Sequence, residues 1–180
     1  MTTEIARDGA GVSPRPLRFL LQVPVGPEWR NIELLRSAVL NCLAAVFDDL
    51  EFGKLVAMVT SELMENAIKY GEWSRAEASH LMVIVRGMNG SVEIDVANPV
   101  PRGSPKVAAL EAMIRAIDSY PSPREAYLAR LLTISERPTG SSVSKLGLAR
   151  IAYEGRCRLE VRMDDAAEML HVVATVETRP

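Results

Sequence analysis

The sequence predicts an α+β domain, a two-layer sandwich with a mixed, mostly antiparallel sheet of about five strands and helices packed on one face. Three observations predict it. Two β-rich runs, His80–Val85 and Ser91–Ala97, flank Asn89-Gly90, a dipeptide that favours the positive φ angles of a tight hairpin. Two successive segments ending near Phe47 and Tyr70 carry apolar residues at helical spacing. Strands and helices then segregate along the chain rather than alternate, which argues against a parallel doubly wound sheet.

The elements follow in order. Residues 1–16 are polar, contain Gly9, Gly11, Pro14 and Pro16, and read as a loose tail ahead of a single domain at 17–180. Leu17–Val25 is strand-like and ends at Gly26-Pro27. Ile32, Leu35, Val39, Cys42 and Val46 form one face of a first helix within 28–47. Asp48 and Asp49 break it and are placed to cap a second helix over 52–70, whose stripe is Leu55, Val59, Leu63 and Tyr70. Gly71 is expected to end that helix in the left-handed conformation. In the hairpin, Val92, Ile94 and Val96 alternate with Glu93, Asp95 and Ala97, so one face is buried. Val107, Leu110, Met113, Ile114 and Ile117 mark an amphipathic helix, Pro121 and Pro123 interrupt the chain, and a short helix follows to Ile134. Ser135–Lys145 is small and polar and is expected to be mobile. A helix over Leu146–Glu154 and strands over Cys157–Arg162 and Met169–Val176, turning at Asp164-Asp165, complete the chain.

The bulk numbers exclude several functions. With 180 residues the chain builds one domain with a real core. A net charge of −2 sets up no overall field for nucleic acid or an anionic membrane. The longest apolar stretch, Ala38–Phe47, is broken by Asn41 and is too short to cross a bilayer. Glu4, Arg7 and Asp8 have no apolar run behind them, so no secretory signal is read and the cytoplasm is expected. Cys42 and Cys157 lie far apart and outside any ligand-spaced cluster, and read as reduced thiols in or near the core. His80 and His171 sit in β-branched segments and read as strand residues, not metal ligands.

The segment from Thr60 to Tyr70 carries the chemistry. On a helix Glu62 and Asn66 lie one turn apart on a shared face, with Asn66 inside the apolar stripe and Glu62 and Lys69 on its edge. A buried amide without partners costs about 1–3 kcal/mol. Either core partners satisfy Asn66 or the stripe opens there into a polar cleft, and local geometry leaves both open.

Glu62-x-x-x-Asn66-Ala67 with Lys69, after a strand and a helix, resembles the N box of the histidine-kinase-like (GHKL) ATPases. The order of elements is similar to that of the anti-sigma-factor serine kinases of bacterial partner-switching systems. The resemblance implies ATP and Mg²⁺ as cofactors, with Asn66 as the metal ligand and Glu62 as the general base. An amide oxygen is a hard ligand suited to Mg²⁺. A carboxylate one turn away can accept a proton from a hydroxyl or from water.

Two further boxes are altered. The family's G1 pattern, Asp-x-Gly-x-Gly, is replaced by Asn98-Pro99-Val100-Pro101-Arg102. Asn98, at the place of the adenine-reading aspartate, keeps an acceptor oxygen but loses the charge, and without the glycines the backbone cannot approach a ligand closely. The alternative is an Asn-Pro turn after a strand. The G2 pattern is half present in Lys145-Leu146-Gly147-Leu148, at a helix start suited to phosphate; the alternative is a helix-start glycine beside a solvated lysine. By resemblance the nucleotide-binding set is Asn66, Lys69, Asn98, Lys145, Gly147 and Leu148. Residues 103–144 occupy the place of the ATP lid and read as a lid or a partner-binding face. The expected function is a bacterial regulatory switch, an ATP-dependent serine/threonine kinase or anti-sigma-type regulator. Its expected partner is a small regulatory protein, such as an anti-sigma antagonist or a sigma factor, with no nucleic acid or membrane and with homodimerisation left open. The alternative is a non-enzymatic adaptor that keeps the fold without nucleotide. A complete sensor histidine kinase is disfavoured, because neither histidine lies on a dimerisation helix.

Overall fold

A computed structural model describes residues 17–25, 32–47, 49–74, 80–88, 90–135 and 146–177. The elements run β1 (Arg18–Pro24), α1 (Ile32–Ala44), α2 (Leu50–Tyr70), β2 (His80–Met88), β3 (Ser91–Pro99), α3 (Pro105–Asp118), α4 (Pro123–Ser135), α5 (Gly147–Glu154), β4 (Cys157–Asp164) and β5 (Met169–Glu177). The strands form one sheet in the order β1-β2-β3-β5-β4, and every neighbouring pair is antiparallel. The expected α+β sandwich is therefore the observed one.

The register sets two faces. Phe19, Val85, Ile94, Ala174 and Leu159 lie in one row on the helix-covered face, and Leu21, Val83, Val96, Val172 and Val161 in the next. Helices α2, α3 and α5 contact this sheet, α1 packs on α2, and α4 packs on α3 and α5. Val56, Val59, Leu63, Met64, Ile114, Ile151 and the inward strand residues form the continuous core. The alternation in β3 holds for Val92, Ile94 and Val96, but Asp95 and Ala97 on the opposite face are buried as well. Asp95 is partnered there by His171 Nδ1 at 2.9 Å, which satisfies its buried carboxylate.

Local chemistry explains the boundaries. The Asp49 carboxylate accepts hydrogen bonds from the amides of Glu51 and Phe52 at 2.9 and 3.0 Å, capping α2 two residues earlier than the apolar pattern indicates. Gly90 takes the positive φ, +79°, that the hairpin turn needs, while Asn89 lies outside the described residues.

Three expectations are corrected. Gly71 is extended, with φ −63° and ψ 155°, not left-handed. A glycine is required there by crowding, because a Cβ would fall 2.6 Å from the Trp73 ring. Cys42 is exposed, and Val46 lies past the end of α1 and is half exposed. Packed chiefly on a single neighbour, α1 buries only a narrow line through Val39 and Leu43. Tyr70 is partly exposed; the buried face of α2 keeps Val59 and Leu63 of the expected stripe and widens to Val56, Thr60, Met64 and Ala67. The tail at 1–16, Gly26-Pro27 and the polar run at 136–145, Lys145 included, lie outside the described residues.

Candidate functional site

Helix α2 crosses the sheet with its last two turns beside the start of α5. Here a glycine is needed for approach. A methyl group added at Gly147 would lie 3.2 Å from Glu62 Oε2 and 3.4 Å from Asn66 Nδ2. The residue expected to be a binding glycine is thus the point where α5 closes on the two polar residues of α2.

Two cavities meet at this junction, and Asn66 and Gly147 line both. The first, of about 220 Å³, is apolar. Leu63 and Ala67 of α2, Leu148 of α5, and Leu170 and Val172 of β5 form its floor and sides, and Leu110 and Met113 of α3 form its opposite wall. Its polar side chains are few: Asn66, Tyr70, Asn98 and Lys106. Asn98 lies on the helix-facing side of β3, opposite Leu170 in the register, and is 2% exposed. Its Nδ2 makes a long 3.4 Å bond to the Pro99 carbonyl. Lys106 donates from Nζ to the carbonyl of Tyr70 at 3.0 Å, tying the N-terminus of α3 to the C-terminus of α2.

The second cavity is an open cleft of about 560 Å³ lined by Glu33, Arg36, Glu62, Glu65, Lys69 and Arg150. Arg36 reaches Glu65 at 3.1 Å. Arg150 Nη1 binds Glu62 Oε1 at 2.8 Å, and Arg150 Nε binds Glu154 Oε2 at 2.7 Å. Burial holds the Glu62 carboxyl above the usual carboxylate range against the opposing field of Arg150; Glu65 and Glu154 push the same way as burial, and Arg36 opposes it. Arg150 in turn is raised, chiefly by its hydrogen bond to Glu154. Lys69 is exposed, with its ammonium 5.5 Å from the Tyr70 ring centroid.

Asn66 Nδ2 is buried and has no hydrogen-bond partner, the one such side-chain atom among the described residues. Of the two alternatives, core partners or an opening cleft, no core partner meets Nδ2, and Asn66 lines both cavities. Half a turn of the amide exchanges its oxygen and nitrogen, so this side chain can present an acceptor or a donor to an occupant. The fit to Mg²⁺ is reasonable. The ion is commonly held by one or two protein oxygens together with substrate phosphates and water. No group of three or more His, Cys, Asp or Glu is placed to hold a metal among the described residues. At the start of α5 the capping residue, Leu146, makes no side-chain cap.

The structure thus brings Glu62, Asn66, Lys69, Asn98, Gly147 and Leu148 around two adjoining cavities. It adds Arg150 and Arg36 to the cleft, and Lys106, Leu110 and Met113 of the lid-like segment to the apolar cavity. Arg150 had a signal, being one helical turn after Gly147; Lys106 had none. The altered G1 segment begins in the sheet and turns only after it, at Arg102-Gly103. Pro99 stays in the sheet opposite Met169, and Val100, 1% exposed, lines the apolar cavity.

No protein-family model and no curated protein sequence matches the chain. Its fold is similar to that of a chain in the crystal structure of the SiaB–SiaC complex from Pseudomonas aeruginosa, with a TM-score of 0.63, 21% sequence identity, and 91% of this chain and 90% of that chain covered. At that identity the likeness shows the fold. Among the described residues, no helix is long and apolar enough to cross a membrane.

Proposed function

We propose that this chain is a regulatory switch that binds Mg-ATP at the Asn66 junction and transfers its terminal phosphoryl group to a hydroxyl of a small protein partner. The observation that carries the reading is the orphaned Asn66 amide at the meeting point of an apolar and a charged cavity. Apolar walls with a buried Asn98 suit a flat base with a hydrogen-bonding edge. The charged cleft suits phosphates and an incoming hydroxyl. Mg²⁺, when bound, would be held by Asn66 and would neutralise phosphate charge. Glu62, half-buried one turn from Asn66, is the proton acceptor for the attacking hydroxyl. Gly147 and Leu148 close the nucleotide's side, and Lys69, which lines the charged cleft, supplies positive charge to the phosphates. The protein partner is supported by the likeness to a fold that occurs in a two-protein complex.

A second reading is favoured by Pro99 and Val100. Held in the sheet and against the cavity, they leave no glycine loop to admit a ligand's edge, as a nucleotide-free adaptor requires. Titration of Mg-ATP into the purified chain separates the two. The kinase reading expects saturable binding at or below millimolar ATP, and Glu62→Gln with affinity kept and turnover lowered by about 10²–10⁴-fold. Absence of binding at millimolar ATP, with and without the protein partner, leaves the adaptor.

A further inference from the structure

The Glu62 carboxylate is divided between two neighbours. Oε1 is taken by Arg150 Nη1 at 2.8 Å. Oε2 is the atom nearest to where a Cβ on Gly147 would stand, 3.2 Å away, beside Asn66 Nδ2. Arg150 is itself fixed from its other side by Glu154 Oε2 at 2.7 Å, one turn along α5. A guanidinium held at both ends has little freedom to let the carboxylate rotate.

We infer that Arg150 is a positioning residue, which holds Glu62 by one oxygen so that the other faces the junction where the reacting groups meet. This rests on the reading of Glu62 as proton acceptor. In the transfer step the acceptor oxygen bonds to the terminal phosphorus and the bond to the bridging oxygen breaks. ADP leaves with that electron pair, and the acceptor's proton passes to Glu62 Oε2. Arg150 touches neither substrate nor proton. It acts through geometry, by keeping the carboxylate from swinging away from the junction toward Arg36, the other arginine that lines the cleft. It also joins the two motif helices: Glu62 belongs to α2 and Arg150 to α5, so closure of α5 on α2 and orientation of the base are one event.

The test uses the full chain with Mg-ATP, water as the phosphoryl acceptor, and inorganic phosphate release as the readout. Calorimetric titration of Mg-ATP and a thermal melt are run on each variant. Arg150→Met is expected to lower kcat by about 10²-fold while the Kd for Mg-ATP stays within about threefold of wild type. Arg150→Lys recovers part of the rate, because an ammonium still reaches Oε1 but cannot hold Glu154 in the same fork. Glu154→Gln gives a smaller loss than Arg150→Met. In the Glu62→Gln background, Arg150→Met costs less than about twofold more, since a residue acting through Glu62 has nothing left to position.

An Arg150→Met chain that turns over like wild type overturns the inference. So does one whose Mg-ATP affinity falls in step with kcat, which makes Arg150 a substrate ligand, or one whose loss is fully additive with Glu62→Gln, which makes it structural. If Arg150→Met does not melt as a folded protein, Arg150→Lys and Glu154→Gln carry the same comparison. A wild type that binds no Mg-ATP overturns the underlying reading and this inference together. A wild type that binds Mg-ATP and loses turnover in Glu62→Gln but not in Arg150→Met overturns this inference alone.

Discussion

The two cavities that meet at Asn66 share a wall and differ in nearly everything else. On one side Leu63, Ala67, Leu110, Met113 and Leu148 present carbon; on the other Glu33, Arg36, Glu62, Glu65 and Arg150 present charge. The apolar cavity is continuous with the core, so its walls contribute to stability as well as to any ligand. The charged cleft is held by partly exposed ion pairs, which contribute little to stability. A single helix serves both because Glu62 and Asn66, one turn apart, border its buried face. On the proposed function, affinity belongs to the carbon side and turnover to the charged side, with Asn66 common to both.

The sharpest break of that comparison is Asn66→Ala. Its Nδ2 has no partner to leave orphaned, so the melting temperature should hardly move while Mg-ATP binding is abolished in titration. A stability loss of about 1–3 kcal/mol with no change in binding would make Asn66 a core residue instead. Leu63→Ala comes next. This side chain, 2% exposed, belongs to the core and to the cavity wall at once, and its truncation should cost about 2–5 kcal/mol in urea unfolding. By contrast, Glu65→Ala in the charged cleft should cost at most about 1 kcal/mol.

Leu110→Ala and Arg36→Ala test the division of labour directly. Leu110 covers the apolar cavity from α3, and its loss should weaken Mg-ATP binding by about 3–10-fold in titration. Arg36→Ala should leave that affinity within about twofold. Equal losses in the two variants would end the assignment of affinity to the carbon side.

The smallest effect lies on the far face of the sheet. The hydrogen bond with Asp95 holds His171 above its ordinary value of 6.5, against the opposing effect of burial. A raised folded-state value means that the pair's stabilisation is complete below the unfolded value and is lost as pH rises through the folded one. Thermal melts should therefore fall as pH climbs from about 6 through the neutral range, and Asp95→Asn should flatten that slope. Mg-ATP affinity should be the same in both chains, since neither cavity includes these residues.

Much of this was legible from neighbours in sequence. The β2–β3 hairpin was marked by Asn89-Gly90 and by alternation in β3, and Asp49 was a visible cap. Glu62 and Asn66 share a face on any helix through them. The opening of the stripe at Asn66 was not legible, because the apolar spacing around it is the same for a core amide and a cleft amide. Cys42 illustrates the same limit: its spacing fits the stripe of α1, but a helix packed chiefly on one neighbour buries less of its face than the pattern offers.

By itself, the sequence determined the α+β class, the positions of the elements, and which two residues of α2 lie together at its edge. These depend on contacts within a few residues, where propensity, capping and periodicity act. Tertiary structure alone decided that β5 lies between β3 and β4, that Lys106, Leu110 and Met113 close the apolar cavity, and that Arg150 holds Glu62 from 88 positions away. It also decided that Gly71 is extended against Trp73 and that Gly147 is pressed against Glu62 and Asn66. Such pairings are selected by packing across the whole core, and no local pattern encodes which distant side chain will fill a given space.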